Sequence, residues 1–263
     1  MNKRIMVFAP VHQREWVLPY YLRNLYNIDY EKKKIRVLWI VNNCTDKTLE
    51  LLQNFKDRHE GEYESIDIQI WNNSEVGTPK EIEHYRDTDY RNKIVYTWLS
   101  QLRNRGNYEC LKYNCDYLFS CDTDILVKPD ILNNLINVNK PYVAGLIYNG
   151  YETHSNFWEI PNVLRKRSEI SYQHLNNYYT KNKMGITTCD FTGALFLASK
   201  EVLPYYIFST DKMGEDLPAC KSLQSHGYEL FVSCNDYAQH IMSPKWIEEF
   251  KNFGTEEDND GQD

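Results

Sequence analysis

The sequence predicts an α/β fold in which a mostly parallel central sheet is flanked by helices within a single domain. Two observations predict it. Strand-like apolar segments alternate with amphipathic helical segments through the first two-thirds of the 263 residues, and several of these strand-like segments end in polar or Pro-containing turns. Strands separated by helices favour parallel pairing with right-handed crossovers. Hydrophobic residues make up 42% of the chain, which is ample for a packed core.

The first 140 residues contain the clearest alternation of elements. Apolar runs predict strands, and apolar residues at helical spacing predict helices between them. The predicted order is a strand at 4–9, a helix at 15–26, a strand at 35–41, a helix at 48–55, a strand at 66–71, a polar loop at 72–92, a helix at 93–111, a strand at 117–120 and a helix from 128.

The pattern loosens after residue 140, where we expect strands at 142–148, 194–198 and 229–233, and a helix at 217–225. A polar stretch rich in Asn and Tyr, 149–187, separates the first two of these strands. No linker cuts the chain in two. We therefore divide one domain into halves at 1–140 and 141–245, followed by an acidic tail at 246–263 that we expect to be flexible.

Charge and composition exclude several classes of protein. The net charge of −7 argues against nucleic acid as a partner. No apolar run approaches the ~18 residues of a membrane span, and the basic start of the chain is followed by too short an apolar run for an export signal. Seven scattered cysteines, odd in number and without a CxxC pair, predict reduced thiols and a cytoplasmic location. The oligomeric state stays open.

Three short segments that each carry a polar side chain follow predicted strands, at 10–12, 42–43 and 122–124. In parallel sheets ligands bind beyond the carboxyl ends of the strands. The sequence therefore predicts one binding site at that edge of the sheet.

Asp122 and Asp124 of this edge form a DxD triplet, in which two carboxylates can reach one hard divalent cation. Such a cation neutralises charge on a leaving diphosphate. The alternative is a polar strand end that caps the next helix. A calcium loop is disfavoured by Leu126 and Val127, and a phosphatase with an aspartyl nucleophile by the mid-chain position of the triplet and by Leu126.

Three further positions have one chemical and one structural interpretation. Asp216, after Gly214 and Glu215, suits a general base at a helix start, although capping is the commoner role of such residues. His240 could complete a metal site and would favour Mn²⁺, or it could be structural. Arg103 could contact a nucleotide or lie at a solvated helix end.

Five motifs occur in an order that resembles the GT-A glycosyltransferases, particularly family 2. They read "VFAPVHQREWVLPYYLRNL", "VLWIVNNCTDKTLELL", "LRNRGNYECLKYNCDYLFSCDTDI", "CDFTGALFLASKEVL" and "GEDLPACKSLQSHGYELFVSCNDYAQH". They span most of residues 4–242. The family's "DDGS" turn is replaced here by "NNCT", which places Asn43 where the family usually has an aspartate.

The resemblance implies a role for each matching residue. Asp122, Asp124 and His240 would hold Mn²⁺ or Mg²⁺, and Asp216 would be the base. Apart from the resemblance, we expect Trp158 and Glu215 to contact the acceptor. Residues 1–140 would bind the nucleotide sugar, and 141–245 would bind the acceptor and complete catalysis. The residues implied to bind the nucleotide sugar are Pro10, Val11, His12, Arg14, Asn43, Arg103, Asp122, Thr123, Gly193 and Ala194.

The function implied is transfer of a hexosyl or N-acetylhexosaminyl group, with inversion, from a nucleotide-diphosphate donor. We expect a UDP-sugar as donor and a glycan, a lipid-linked molecule or a peptide as acceptor. A retaining GT-A enzyme and a non-catalytic nucleotide-sugar-binding protein remain alternatives. A sugar-nucleotidylyltransferase is disfavoured, because Ala9 to His12 lacks the glycine-rich loop expected after its first strand.

Overall fold

The structure, a computed structural model, describes residues 3–75, 89–148, 157–159, 173–174, 185–211 and 214–255. The helices are α1 Leu18–Tyr26, α2 Thr48–His59, α3 Asp89–Lys112, α4 Ile131–Asn137, α5 Asp216–Ser225 and α6 Ile247–Phe250, with 3₁₀ turns at Lys32–Lys34 and Pro244–Trp246. The strands are β1 Ile5–Val11, β2 Ile35–Val41, β3 Ser65–Ile70, β4 Tyr117–Cys121, β5 Ile125–Leu126, β6 Tyr142–Tyr148, β7 Phe157–Glu159, β8 Gln173–His174, β9 Ile186–Cys189, β10 Phe191–Thr192, β11 Leu195–Ser199 and β12 Leu230–His240.

The central sheet has nine strands within the described residues, in the order β3-β2-β1-β4-β11-β6-β12-β5, with β9 also paired to β12. The short strands β10, β7 and β8 form a second, antiparallel sheet. The predicted α/β fold in a single domain is confirmed.

The first half of the sheet is parallel and brings three strand ends together. β1 pairs with β2 from Ile5↔Ile35 to Val11↔Val41, and with β4 from Ile5↔Tyr117. The carboxyl ends of β1, β2 and β4 therefore lie at one edge, which is where the sequence predicts the binding site.

Beyond β4 the sheet is mixed, because β11 runs antiparallel to both β4 and β6. β12 is parallel to β6, with a shift of register between Ser233 and Tyr237. Its far end pairs with β5, so that His240 stands opposite Ile125. A strand from the second half of the chain thus ends beside the DxD triplet.

Both faces of the sheet are buried. In β1 the side chains of Val7 and Val11 enter one apolar cluster and that of Phe8 enters the other, as the period of two along a strand requires. Helix α3 packs very closely on the second face: a Cβ at Gly106 would lie 2.7 Å from the Phe8 ring. No helix among the described residues is long and apolar enough to cross a membrane.

Several boundaries differ from the sequence prediction, and three of these differences concern the site or the tail. Helix α3 begins at Asp89 rather than at residue 93, and residues 76–88 of the predicted loop lie outside the described residues. Strand β12 continues to His240, seven residues past its predicted end.

The third difference concerns the predicted flexible tail. Its part up to Thr255 packs on the domain, where Phe253 is buried and the Asn24 side chain donates to the Phe253 carbonyl over 3.2 Å. The same Asn24 amide group also donates to the Val127 carbonyl over 2.7 Å, so this buried side chain joins the tail to the residue that follows β5. Residues 256–263 lie outside the described residues.

Candidate functional site

A pocket of about 240 Å³ opens at the carboxyl edge of the parallel strands. Its lining comes from the ends of β1, β2 and β4 and from one side of α3. The lining residues are Pro10, His12, Arg14, Asn42, Val95, Trp98, Leu99, Leu102, Arg103, Asp122 and Thr123. Six of these, Pro10, His12, Arg14, Arg103, Asp122 and Thr123, are among the residues predicted to bind the nucleotide sugar, whereas Val11 is buried in the core.

The wall from α3 was not predicted. Val95, Trp98, Leu99 and Leu102 form a stripe at helical spacing, and such a stripe in a sequence indicates core packing as readily as a ligand wall. One feature of the sequence could have indicated this wall: Arg103 follows the apolar stripe directly. An arginine next to an apolar stripe on a helix of the nucleotide-binding half points to a pocket with one apolar and one charged wall.

Asp122 is held by a buried arginine. Arg103 Nη2 lies 2.9 Å from Asp122 Oδ2, and Arg103 Nε lies 2.8 Å from Glu215 Oε1. Only 3% of Arg103 is exposed. Burial alone would lower the pKa of Arg103, but the charges of Asp122 and Glu215 outweigh it and raise the pKa. Arg103 therefore acts as a fixed brace that ties β4 to the start of α5.

Asp124 lies in a different environment, between Arg14, which lines the pocket, and His240 at the end of β12. Arg14 Nη2 is 2.9 Å and His240 Nε2 is 3.5 Å from the same atom, Asp124 Oδ2. Burial would raise the pKa of Asp124, but Arg14 and His240 outweigh it and the pKa is lowered. Asp124 is thus an anion whose oxygen is shared by two neighbours.

Asp216 starts α5 and lies against the turn before β11. A Cβ at Gly193 would lie only 2.0 Å from Asp216 Oδ2, so any other residue at 193 would displace this carboxyl group. Burial and the charge of Glu215 raise the pKa of Asp216 to about 8. The next residue, Ala194, has a φ of +65° and accepts a hydrogen bond from the Asp122 amide over 3.1 Å. The predicted turn 193–194 thus connects Asp216 to the DxD triplet.

Glu215, which the sequence predicts to contact an acceptor, lies directly before α5. Its side chain is buried and paired with Arg103. In this structure it therefore positions Arg103, and its contact with an acceptor stays a prediction. Trp158, the other predicted acceptor residue, lies on β7, and most of the region 149–187 lies outside the described residues.

His12 and Asn43 both lie at strand ends, with different contacts. Burial lowers the pKa of His12, and its Nδ1 lies 2.8 Å from the Asn42 carbonyl. A carbonyl only accepts, so Nδ1 carries the proton and Nε2 is an acceptor. Asn43 has a φ of +49°, and its amide exchanges two hydrogen bonds with the backbone of Asn73. In this structure Asn43 ties the ends of β2 and β3 together.

The predicted metal ligands are near one another without forming a closed cluster. The described residues contain no group of three or more His, Cys, Asp or Glu side chains set to hold a metal ion. Asp122 Oδ1 is nevertheless buried without a hydrogen-bond partner among the described atoms. Two carboxylates, one with such an oxygen, and an imidazole are a donor set that fits Mn²⁺. The residues therefore fit a divalent cation in their chemistry.

Comparison with known proteins identifies the family. The sequence model of the Anp1 family matches residues 1–182. The chain is 22% identical over 248 residues to procollagen-lysine,2-oxoglutarate 5-dioxygenase 1 of Gallus gallus, covering 91% of this chain and 30% of that protein. It is 26% identical over 163 residues to procollagen galactosyltransferase 1-A of Xenopus laevis, covering 60% and 25%. The chain thus spans less than a third of the length of these curated relatives.

Two solved structures share the fold. GalNAc-T7 with UDP, GalNAc and Mn²⁺ superposes with a TM-score of 0.57 and 12% identity, covering 91% of this chain and 44% of that one. The mannosyltransferase PcManGT of Pyrobaculum calidifontis, in complex with GDP-Man and Mn²⁺, gives a TM-score of 0.56 and 14% identity, covering 100% and 66%. At this identity the likeness shows the fold alone. It confirms the predicted GT-A fold, while the narrower resemblance to family 2 stays a prediction.

Proposed function

The chain belongs to the Anp1 family and has the fold of the GT-A glycosyltransferases; on this premise we propose that it transfers a sugar from a nucleotide-diphosphate donor with the help of a divalent cation. One observation carries the proposal. Asp122 and Asp124 lie at the carboxyl edge of a parallel sheet, beside the 240 Å³ pocket, and each is in contact with an arginine that can also bind phosphate.

We propose that the pocket receives the nucleoside of the donor. Its α3 wall is apolar and includes Trp98, which suits the flat face of a base. The opposite side offers His12 Nε2 and the DxD residues to polar groups. We keep a UDP-sugar as the expected donor; one similar fold was solved with UDP and another with GDP-Man. The transferred group is a hexosyl or N-acetylhexosaminyl group.

Asp122, Asp124 and His240 would hold Mn²⁺ or Mg²⁺. When bound, such a cation neutralises the charge of the leaving diphosphate. Arg103, braced between Asp122 and Glu215, keeps the DxD triplet and the start of α5 at a fixed separation. This places Asp216 across the turn at Gly193 from the DxD edge.

We propose Asp216 as the base that takes the proton of the acceptor hydroxyl in an inverting displacement. Its pKa of about 8 means that the carboxyl group is protonated over most of the range below pH 8. A base must be ionised to accept a proton. Turnover should therefore rise with pH and level off above about pH 8.

The first experiment measures donor hydrolysis and transfer with a panel of UDP- and GDP-sugars. Activity should disappear in EDTA and return with Mn²⁺. A protein stripped of metal that keeps full activity would contradict the metal role. A protein that binds the nucleotide sugar but turns over none of the panel would favour the non-catalytic alternative.

The second experiment tests the base. Asp216→Asn keeps the shape of the side chain, so nucleotide and Mn²⁺ binding should persist while transfer falls by about 10²–10⁴-fold. In parallel, the anomeric configuration of the product made by the wild-type protein is determined by NMR. From an α-linked donor, a β product supports inversion, whereas an α product supports the retaining alternative.

The acceptor class and the compartment complete the proposal. We keep a glycan, a lipid-linked molecule or a peptide as acceptor, to be distinguished by transfer assays on each. We also keep a reducing, cytoplasmic location, because none of the seven cysteines forms a disulfide among the described residues. Thiol labelling of the protein in freshly lysed cells under denaturing conditions should count seven reactive groups, and fewer would contradict this location.

A further inference from the structure

We propose that Arg14 and the divalent cation exchange at Asp124, so that the incoming cation releases Arg14 to the diphosphate of the donor. This inference rests on the proposed function and assigns to one residue of the same site a donor-binding role that depends on the cation. It makes the binding of cation and donor interdependent.

The contact geometry is the first argument. Arg14 Nη2 and His240 Nε2 approach the same oxygen, Asp124 Oδ2, at 2.9 Å and 3.5 Å. A cation bound to that oxygen sits at about 2.0–2.2 Å. It would then lie within a few ångströms of the guanidinium, and two positive charges at that separation repel each other. Arg14 and the cation therefore compete for one atom.

The freedom of the Arg14 side chain is the second argument. Its backbone is fixed, because the Arg14 amide donates to Thr48 Oγ1 over 2.7 Å and its carbonyl accepts from the Leu18 amide over 2.8 Å. The side chain, in contrast, is 33% exposed and lines the pocket. Arg14 can thus turn about its own side-chain bonds without disturbing the start of α1.

Arg103 shows that this freedom is not general to the site. Its side chain is only 4% exposed and is held at both ends, by Asp122 and by Glu215. Moving it would leave two carboxylates without their partner. Of these two arginines, only Arg14 can leave its carboxylate at low cost.

The destination of Arg14 follows from its chemistry. A guanidinium displaced from a carboxylate at a pocket rim is suited to the oxygens of a diphosphate, which it can bind in a bidentate manner. Cation and diphosphate would then strengthen each other's binding, and by linkage the effect is mutual. Without a nucleotide, Arg14 lowers the affinity of the site for the cation. With a nucleotide bound, Arg14 contacts the diphosphate and stabilises the complex.

The test uses Arg14→Gln, which removes the charge and keeps a polar side chain. Mn²⁺ affinity without nucleotide is measured from the EPR signal of free Mn²⁺ and should increase by about fivefold. UDP affinity in saturating Mn²⁺, measured by calorimetry, should decrease by about tenfold. The two affinities therefore change in opposite directions, which general damage to the site would not produce.

Two further variants make the result decisive. Arg23→Gln removes an equal charge from α1 away from the site and should change neither affinity, while the melting temperature of each variant checks folding. Asp124→Asn should abolish Mn²⁺ binding. If Asp124→Asn has that effect but Arg14→Gln leaves Mn²⁺ affinity unchanged or weaker, the exchange is overturned and the proposed function stands. If Mn²⁺ binding survives Asp124→Asn, both are overturned.

Discussion

The two aspartates of the DxD triplet are two residues apart in sequence, yet their surroundings differ. Asp122 faces a buried arginine that is held from both sides, whereas Asp124 faces a partly exposed arginine and a histidine that share one oxygen. Both aspartates lie in the turn between β4 and β5, which is closed by a hydrogen bond from the Ile125 amide to the Asp122 carbonyl over 3.0 Å. Their side chains therefore do not share one face, as residues two apart on a regular strand would. In this motif Asp122 belongs to a fixed structural network, whereas Asp124, the open half, can exchange Arg14 for a cation.

The largest expected effect is a difference in transfer activity between variants of Asp124 and Asp122. Asp124→Asn should lower Mn²⁺-dependent transfer by more than about 10³-fold, because without this charge the site no longer holds the cation. Asp122→Asn should lower it by about 10- to 100-fold, since an amide oxygen can still accept from Arg103. Steady-state kinetics with the preferred donor measure both values. Equal losses in the two variants would break the comparison.

The next effect is a difference in the free energy of unfolding between variants of Arg103 and Arg14. Arg103→Met should lower the free energy of unfolding by about 3–5 kcal/mol, because it leaves two carboxylates in a buried network without their partner. Arg14→Met should lower it by less than about 1 kcal/mol, as expected for a partly exposed ion pair. Urea denaturation of the protein in EDTA compares them. A large loss in the Arg14 variant would show that both arginines are structural.

The pH dependence of stability tests the raised pKa of Asp216, which lies near Asp122 and Arg103. Its pKa is about 8 in the folded protein and about 4 in the unfolded chain. Between those values the unfolded state has released a proton that the folded state retains, so this group stabilises the fold less as pH rises, with the change complete above pH 8. Asp216→Asn removes this dependence. Its melting temperature relative to the wild type should increase by a few degrees between pH 5 and pH 8.5, and a constant difference would contradict the raised pKa.

The smallest effect tests how Glu215 acts on its neighbour. After burial, the charge of Glu215 is the largest contribution that raises the pKa of Asp216. Glu215→Gln keeps a hydrogen-bond acceptor for Arg103 and removes that charge. The acidic limb of the pH–rate profile should move to lower pH by roughly half a unit to one unit. A profile unchanged in position, with an altered KM for the acceptor, would instead support the contact predicted from the sequence.

Much of the fold follows from periodicity, because β1, β2 and β4 are continuous apolar runs that end in polar turns. The same logic predicted the site edge and the position of the DxD triplet. The sequence could not predict that Arg103 reaches Glu215, since 112 residues separate them and only the packing of α3 against the sheet brings them together. Nor could it predict the extent of β12, whose polar second half lacks a strand pattern.

The offset in β12 between Ser233 and Tyr237 has a consequence for tolerance to insertion and deletion. Side chains alternate between the two faces of a strand, so removing one residue from this stretch would turn every later side chain to the opposite face. His240 would then face away from Asp124. Removing two residues would restore the face but draw His240 back by about 7 Å. The number of residues in this stretch is therefore constrained more strictly than their identity, because it sets the distance and the direction of His240 relative to Asp124.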